Sequence, residues 1–151
     1  MPMPPYQPIN PSTAFACMKG HHVAMRVPDF EASKSWFIEK LGFRVLKQWS
    51  SKELELAYLA PATDDTFHIE IMGGASPKPK RGYADLEDSL CDAGYHHFCL
   101  TVNDIDKTVA ELRRLEVRIV KEPFHVTAIN RRLAFFADPW DNLIELSQFI
   151  P

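Results

Sequence analysis

Two histidines and two glutamates recur in this 151-residue chain at a fixed interval. Glu70 follows His22 by 48 positions, and Glu145 follows His97 by the same 48. All four lie in runs where apolar and polar residues alternate, the pattern of a half-buried strand. In the first run Val23, Met25 and Val27 require cover, so His22, Ala24 and Arg26 face the other way. The same parity leaves His97, Cys99 and Thr101 opposite Phe98, Leu100 and Val102. It sets His68, Glu70 and Met72 opposite Phe67, Ile69 and Ile71, and Leu143, Glu145 and Ser147 opposite Ile144 and Leu146. Two imidazoles and two carboxylates thus share an uncovered surface. Nitrogen and oxygen donors in that number suit a borderline divalent metal.

The neighbours of these four are read by the same parity. His68 shares a face with Glu70 and reads as a hydrogen-bond partner or substrate contact, with direct ligation the third alternative. His21 and His96 each precede a candidate ligand, so alternation turns them to the opposite face, as packing or surface residues. His125 falls in an expected loop after Pro123. Cys99 lies beside His97 on the open face and reads as packing. The chain contains no P-loop, no GxGxxG and no Ser-centred nucleophile elbow, so nucleotide and acyl-enzyme chemistry have no support.

The elements that must carry these residues come in a repeated order. Asp29 precedes an expected helix Phe30 to Leu41, with Gly42 as its stop, and Asp104 precedes one reaching about Leu115. Strands are expected at 43–49, 54–59 and 66–72, and again at 117–120, 132–136 and 142–149. Each half therefore reads β-α-β-β-β. His22 to Asp29 matches His97 to Asp104 at an offset of 75, and Leu56 to Ala60 resembles Leu133 to Ala137 at an offset of 77. That is an internal duplication with loops of unequal length. The modules are bounded as 21–73 and 95–150, joined by a linker at 74–94. A short helix fits Ala84 to Cys91, and Lys78, Lys80 and Arg81 read as a solvated turn. Residues 1–20 form a Pro-rich arm, since Met1 to Ser12 holds five of the twelve prolines and no charge.

Composition narrows the partners. Seventeen Lys and Arg against twenty Asp and Glu leave a net charge of −3, which offers no basic footprint for nucleic acid. No apolar run approaches the ~20 residues of a membrane span. Three cysteines without framework spacing read as reduced thiols of a cytoplasmic protein. A small-molecule substrate is the expected partner.

The segment His22-Val-Ala-Met-Arg-Val-Pro-Asp, the residues Trp36-Phe37 and Leu41-Gly42-Phe43, and the segment Asp138-Pro-Trp-Asp-Asn-Leu-Ile-Glu-Leu146 resemble the vicinal oxygen chelate superfamily. That group includes glyoxalase I, methylmalonyl-CoA epimerase, extradiol dioxygenases and bleomycin- and fosfomycin-resistance proteins. The resemblance covers residues 21 to 150. It implies an α+β fold of two tandem βαβββ modules forming a curved eight-stranded cup, and a homodimer. It also implies a divalent metal (nickel, cobalt, zinc, manganese or iron) held by His22, Glu70, His97 and Glu145. The order His, Glu, His, Glu is most similar to that of glyoxalase I; in methylmalonyl-CoA epimerase the second ligand is typically Gln. The implied activity is a metal-dependent lyase or isomerase acting through a metal-bound enediolate, with Glu145 or Glu70 as the base and Glu145 preferred. An extradiol ring-cleaving dioxygenase and a metal-free drug-binding resistance protein are the alternatives. Arg26 matches a position that binds the glutathione carboxylate. The asparagine expected four residues after the second ligand is Gly74 here, and Asp141 replaces the usual turn glycine.

Overall fold

The computed structural model describes residues 7–151, so Met1 to Tyr6 of the arm lie outside the described residues. The first half runs β1 (His22–Arg26), α1 (Phe30–Leu41), β2 (Arg44–Ser51), β3 (Leu54–Ala60) and β4 (His68–Gly73). A short α2 (Leu86–Ser89) follows, and then β5 (His97–Thr101), α3 (Ile105–Arg114), β6 (Arg118–Val126), β7 (Arg131–Ala137) and β8 (Leu143–Phe149). Both long helices start for the same local reason. Asp29 and Asp104 hold extended backbone, and each carboxylate accepts the amide three residues on, at 2.9 Å from Ala32 and 3.0 Å from Lys107. This satisfies an amide that a helix start leaves unpaired. Gly42 ends α1 in the left-handed region at φ 66°.

The strands form two four-stranded sheets, β1-β4-β3-β2 and β5-β8-β7-β6. In each, the first strand pairs parallel with the last, and the remaining pairs are antiparallel. The expected α+β architecture of two βαβββ modules with eight strands is what the chain adopts. Each helix covers one face of its own sheet. Phe30 and Phe37 of α1 are buried against Ile69 and Ile71, and Ile105, Val109 and Leu112 of α3 against Ile144 and Leu146. Full burial of one such side chain is worth about 1.5–3 kcal/mol, so these stripes decide which sheet face is covered. The two cores merge into one cluster. Phe67 meets Phe98 with ring centroids 5.8 Å apart, and Lys40 Nζ donates to the Leu115 carbonyl at 2.9 Å.

Two features depart from the expected elements. β6 runs on through Pro123 to Val126, so His125 sits in a strand opposite Arg132 rather than in a loop. A proline is tolerated there because β6 is an edge strand whose register shifts between Lys121 and Phe124. The linker, in turn, is fastened to the second module. Arg118 donates to the Tyr83 carbonyl at 2.8 Å and Lys121 pairs with Glu87 at 3.0 Å, while Arg81 ties the linker to itself through Asp88 and Asp92. Arm residues 7–20 are exposed and make only local turns. Among the described residues, no helix is long and apolar enough to cross a membrane.

Gly74 is the tightest backbone constraint. At φ 77°, a Cβ there would stand 2.0 Å from the Glu53 carbonyl oxygen. Gly42→Ala, with open space around it, should cost only the left-handed penalty of about 1 kcal/mol. Gly74→Ala adds a backbone clash and should cost about 2–4 kcal/mol in urea unfolding. Equal losses for the two variants would contradict this placement.

Candidate metal centre and active site

The uncovered face of each sheet carries one histidine–glutamate pair. In the first, β1 and β4 run parallel with Ala24 beside Glu70, which brings His22 Nε2 to 3.2 Å from Glu70 Oε2. In the second, Cys99 lies beside Glu145, and His97 Nε2 is 3.4 Å from Glu145 Oε2. Two donors bound ~2.1 Å from one metal lie about 3.0–3.4 Å apart for octahedral to tetrahedral angles. Both pairs therefore sit at the spacing of adjacent ligands, and the donor types fit a divalent ion. Their surroundings also match. Tyr58 on β3 is in register with Glu70, and Phe135 on β7 with Glu145. Each ring packs on its module's histidine, at centroid distances of 5.1 Å and 5.3 Å. Trp49 extends the first shelf and Phe124 the second.

One chain does not unite the two pairs. Among the described residues, no three or more His, Cys, Asp or Glu converge to hold a metal. The concavity at Glu145, about 520 Å³, is lined by Cys99 and Thr101 of β5, by 128–131 and Leu133, and by Glu145, Ser147 and Phe149 of β8, all from the second module. Ile129 and Phe149 on its rim are exposed.

His21 and His96 do not turn away from the candidate ligands that follow them, as parity requires. His21 Nδ1 lies 2.8 Å from His22 Nδ1, and His96 Nδ1 lies 2.8 Å from His97 Nδ1. β1 begins at His22 and β5 at His97, so the residue before each lies outside the strand and escapes its alternation. The signal was present in the sequence as a His-His pair repeated at the offset of 75. His96 also contacts Ser89 Oγ through Nε2 at 2.9 Å. Burial, and after it the neighbouring His97, hold His96 below its ordinary pKa. His68 lies on the open face as expected, its ring edge-on to His21. Its Nε2 is 2.9 Å from the Asp65 carbonyl and must donate to it, which leaves a buried Nδ1 without a partner. Cys99 is exposed on the open face of the second sheet; the protein on its inner side, and then the Glu145 carboxylate, push its thiol up to about 12.

A model described as the Glyoxalase/Bleomycin resistance protein/Dioxygenase superfamily matches residues 19–146. The chain belongs to this superfamily. It is 30% identical over 127 residues to the uncharacterized protein YwkD of Bacillus subtilis, covering 83% of this chain and 93% of that one. It is 25% identical to the mitochondrial methylmalonyl-CoA epimerase of Bos taurus over 85% of this chain and 73% of the relative. Among solved structures it is similar to the trypanothione-dependent glyoxalase I of Leishmania major, with a TM-score of 0.65. That match has 25% identity and covers 87% of this chain and 86% of the other.

Within this superfamily member, the turns next to the glutamates explain two departures from the glyoxalase I pattern. Position 74, where that pattern has a side-chain amide, lacks room for any side chain because the Glu53 carbonyl occupies the space. Asp141 does adopt the left-handed conformation of the glycine it replaces, at φ 63°, and its carboxylate accepts from Arg118 at 2.5 Å. The buried Asp138 holds that turn by accepting from the Trp140 and Asn142 amides and the Asn142 side chain, which aims β8 and with it Glu145. Burial raises the Asp138 pKa against these hydrogen bonds.

Arg26 has a defined task. Its guanidinium donates to the carbonyls of Met72, Gly73, Gly74 and Ala75 at 2.7–3.2 Å, and among the described residues no carboxylate pairs with it. It clamps the segment that leaves Glu70. A lysine ammonium cannot reproduce the planar fork. Arg26→Lys and Arg26→Ala should both lower stability by about 1–3 kcal/mol in denaturant unfolding. A wild-type midpoint in both variants would remove the clamp.

Proposed function

We propose that this protein is a divalent-metal-dependent isomerase or lyase that moves a proton at a carbon next to a carbonyl. The observation that carries the reading is the pair of His–Glu half-sites at ligand spacing on open sheet faces. His22, Glu70, His97 and Glu145 would hold the ion. When bound, the metal supplies Lewis-acid polarisation of two adjacent substrate oxygens. Glu145 accepts the proton from carbon as negative charge develops on the carbonyl oxygen, and its conjugate acid, or that of Glu70, returns a proton. Return by the same carboxylate to a neighbouring carbon gives a glyoxalase-type shift. Return to the opposite face by Glu70, protonated at the outset, gives epimerisation and leaves Glu70 ionised and Glu145 protonated. Tyr58 and Phe135 flank the half-sites and exclude water from the substrate carbon.

Two further features bear on substrate and assembly. The closed-off position 74 removes an amide contact to glutathione, which favours a substrate that is not a glutathione adduct. The separation of the half-sites, and the exposed Ile129 and Phe149 beside Glu145, favour a homodimer in which the first module of one copy faces the second module of the other. His68, with its unpartnered Nδ1 beside His21, and Arg26, with its unpaired charge, are the candidate substrate contacts of the first half-site.

The reading is tested by metal content and by mixing subunits. His22→Ala or His97→Ala should each abolish tight binding of nickel, cobalt, zinc, manganese or iron by elemental analysis. Glu145→Gln should retain most of the metal and lower kcat about 10²-fold or more on a substrate found by screening acyl-CoA epimers, hemithioacetals and hydroxyketones. Co-expressed His22→Ala and His97→Ala chains should regain about a quarter of the wild-type sites, because a mixed dimer pairs one intact first module with one intact second module. A chain that takes up no metal would sink the enzyme reading, and oxygen uptake with catechols would replace it with a dioxygenase. Metal binding without complementation would place all four ligands within one chain.

A further inference from the structure

The hydrogen-bond chain behind His97 has a polarity that can be derived from its far end. Ser89 Oγ lies 2.6 Å from the Leu86 carbonyl and 2.9 Å from His96 Nε2. The hydroxyl has one proton, and a carbonyl oxygen can only accept. At 2.6 Å, two oxygens without a proton between them repel, so the hydroxyl donates to Leu86. Its lone pairs remain for His96, whose Nε2 must then carry hydrogen and donate. A neutral His96 protonated at Nε2 has a bare Nδ1, and that atom lies 2.8 Å from His97 Nδ1. His97 Nδ1 must therefore be the donor. What remains is His97 Nε2, a lone pair 3.4 Å from the carboxylate of Glu145. That lone pair and the carboxylate are both free to accept a cation or a donor placed between them.

The first module repeats part of this arrangement. His21 and His22 meet at 2.8 Å through their Nδ1 atoms, and His22 Nε2 faces Glu70 at 3.2 Å. Among the described residues, however, His21 has no hydroxyl or carbonyl partner that would fix the direction of that bond. The difference follows from chain position, since Leu86 and Ser89 belong to α2 in the linker that precedes β5.

The geometry points to Ser89 and His96 as positioning residues that lock His97 in the Nδ1–H tautomer and so present its Nε2 lone pair to the metal before any metal arrives, while His22 has no such lock. This inference rests on the metal reading for its consequence, but not for its geometry. An outer hydrogen bond of this kind typically contributes 10- to 100-fold in metal affinity.

The tautomers of the metal-free, ¹⁵N-labelled protein can be read from long-range ¹H–¹⁵N correlations of the imidazole rings. His97 should show the Nδ1–H pattern and His96 the Nε2–H pattern. Ser89→Ala should mix the His96 and His97 tautomers and weaken cobalt(II) binding about 10- to 100-fold, with a matching change in the cobalt d–d spectrum. Ser89→Thr, which keeps the hydroxyl, should restore both. An Nε2–H tautomer at His97 in the metal-free wild type overturns the relay, as does a Ser89→Ala variant with unchanged tautomers and cobalt affinity. If the wild type binds no cobalt, the metal reading fails by itself and the wild-type tautomers alone decide the relay.

Discussion

One constraint organises the molecule: each four-stranded sheet has a single helix, and one helix covers one face. Phe30 and Phe37 on α1, and Ile105, Val109 and Leu112 on α3, pack with the apolar side of the strands that carry the histidines and glutamates. Whatever has odd parity with respect to those residues is left on the other side. The chemistry-bearing residues are placed by that remainder. Glu70 is nearly buried between Ala24 and Tyr58, a costly position for a carboxylate unless a cation or donor meets it. The nearest such group is the histidine one strand away. Fold and site thus follow from the same alternation.

Because a period of two admits only two answers, most of this was legible in the residues. Asp29, Asp104 and Gly42 mark helix ends by chemistry that acts within three or four residues, and the structure has them in those roles. The faces of His22, Glu70, His97 and Glu145 follow from strand parity, and so does the left-handed aspartate at 141 from the turn around it. What local pattern could not carry was anything that depends on where a strand stops. Alternation misplaces His21 and His96 because they stand one residue outside β1 and β5, where the pleat no longer dictates direction. Pro123 hides the length of β6, because proline is a barrier only in a strand with two neighbours and edge position is a property of topology. Four carbonyls converging on Arg26 could not be read from an arginine at the end of a strand.

The two half-sites have the same plan and different surroundings. Tyr58 and Phe135 occupy corresponding places beside their glutamates, yet one offers a phenol and the other a bare ring. Glu70 is followed by a turn that Arg26 clamps and Gly74 closes. Glu145 is preceded by a turn that Asp138 holds. Stiffness is therefore applied downstream of one carboxylate and upstream of the other. The two carboxylates are thus alike in placement and unlike in how they are held.

A duplicated chain contains two modules but only one connection between them. The segment that enters β5 is the linker, pinned to its module by Arg118 and Lys121; the segment that enters β1 is the exposed stretch 7–20, whose hydrogen bonds among the described residues are local. Any device built into the connecting segment exists once by construction, however faithfully the modules copy each other. Gene duplication here generates asymmetry as directly as it generates repetition. The older symmetry of two like halves is broken at the covalent joint, without a change at His22, Glu70, His97 or Glu145, and motion of the imidazoles would begin on the side that the joint does not reach.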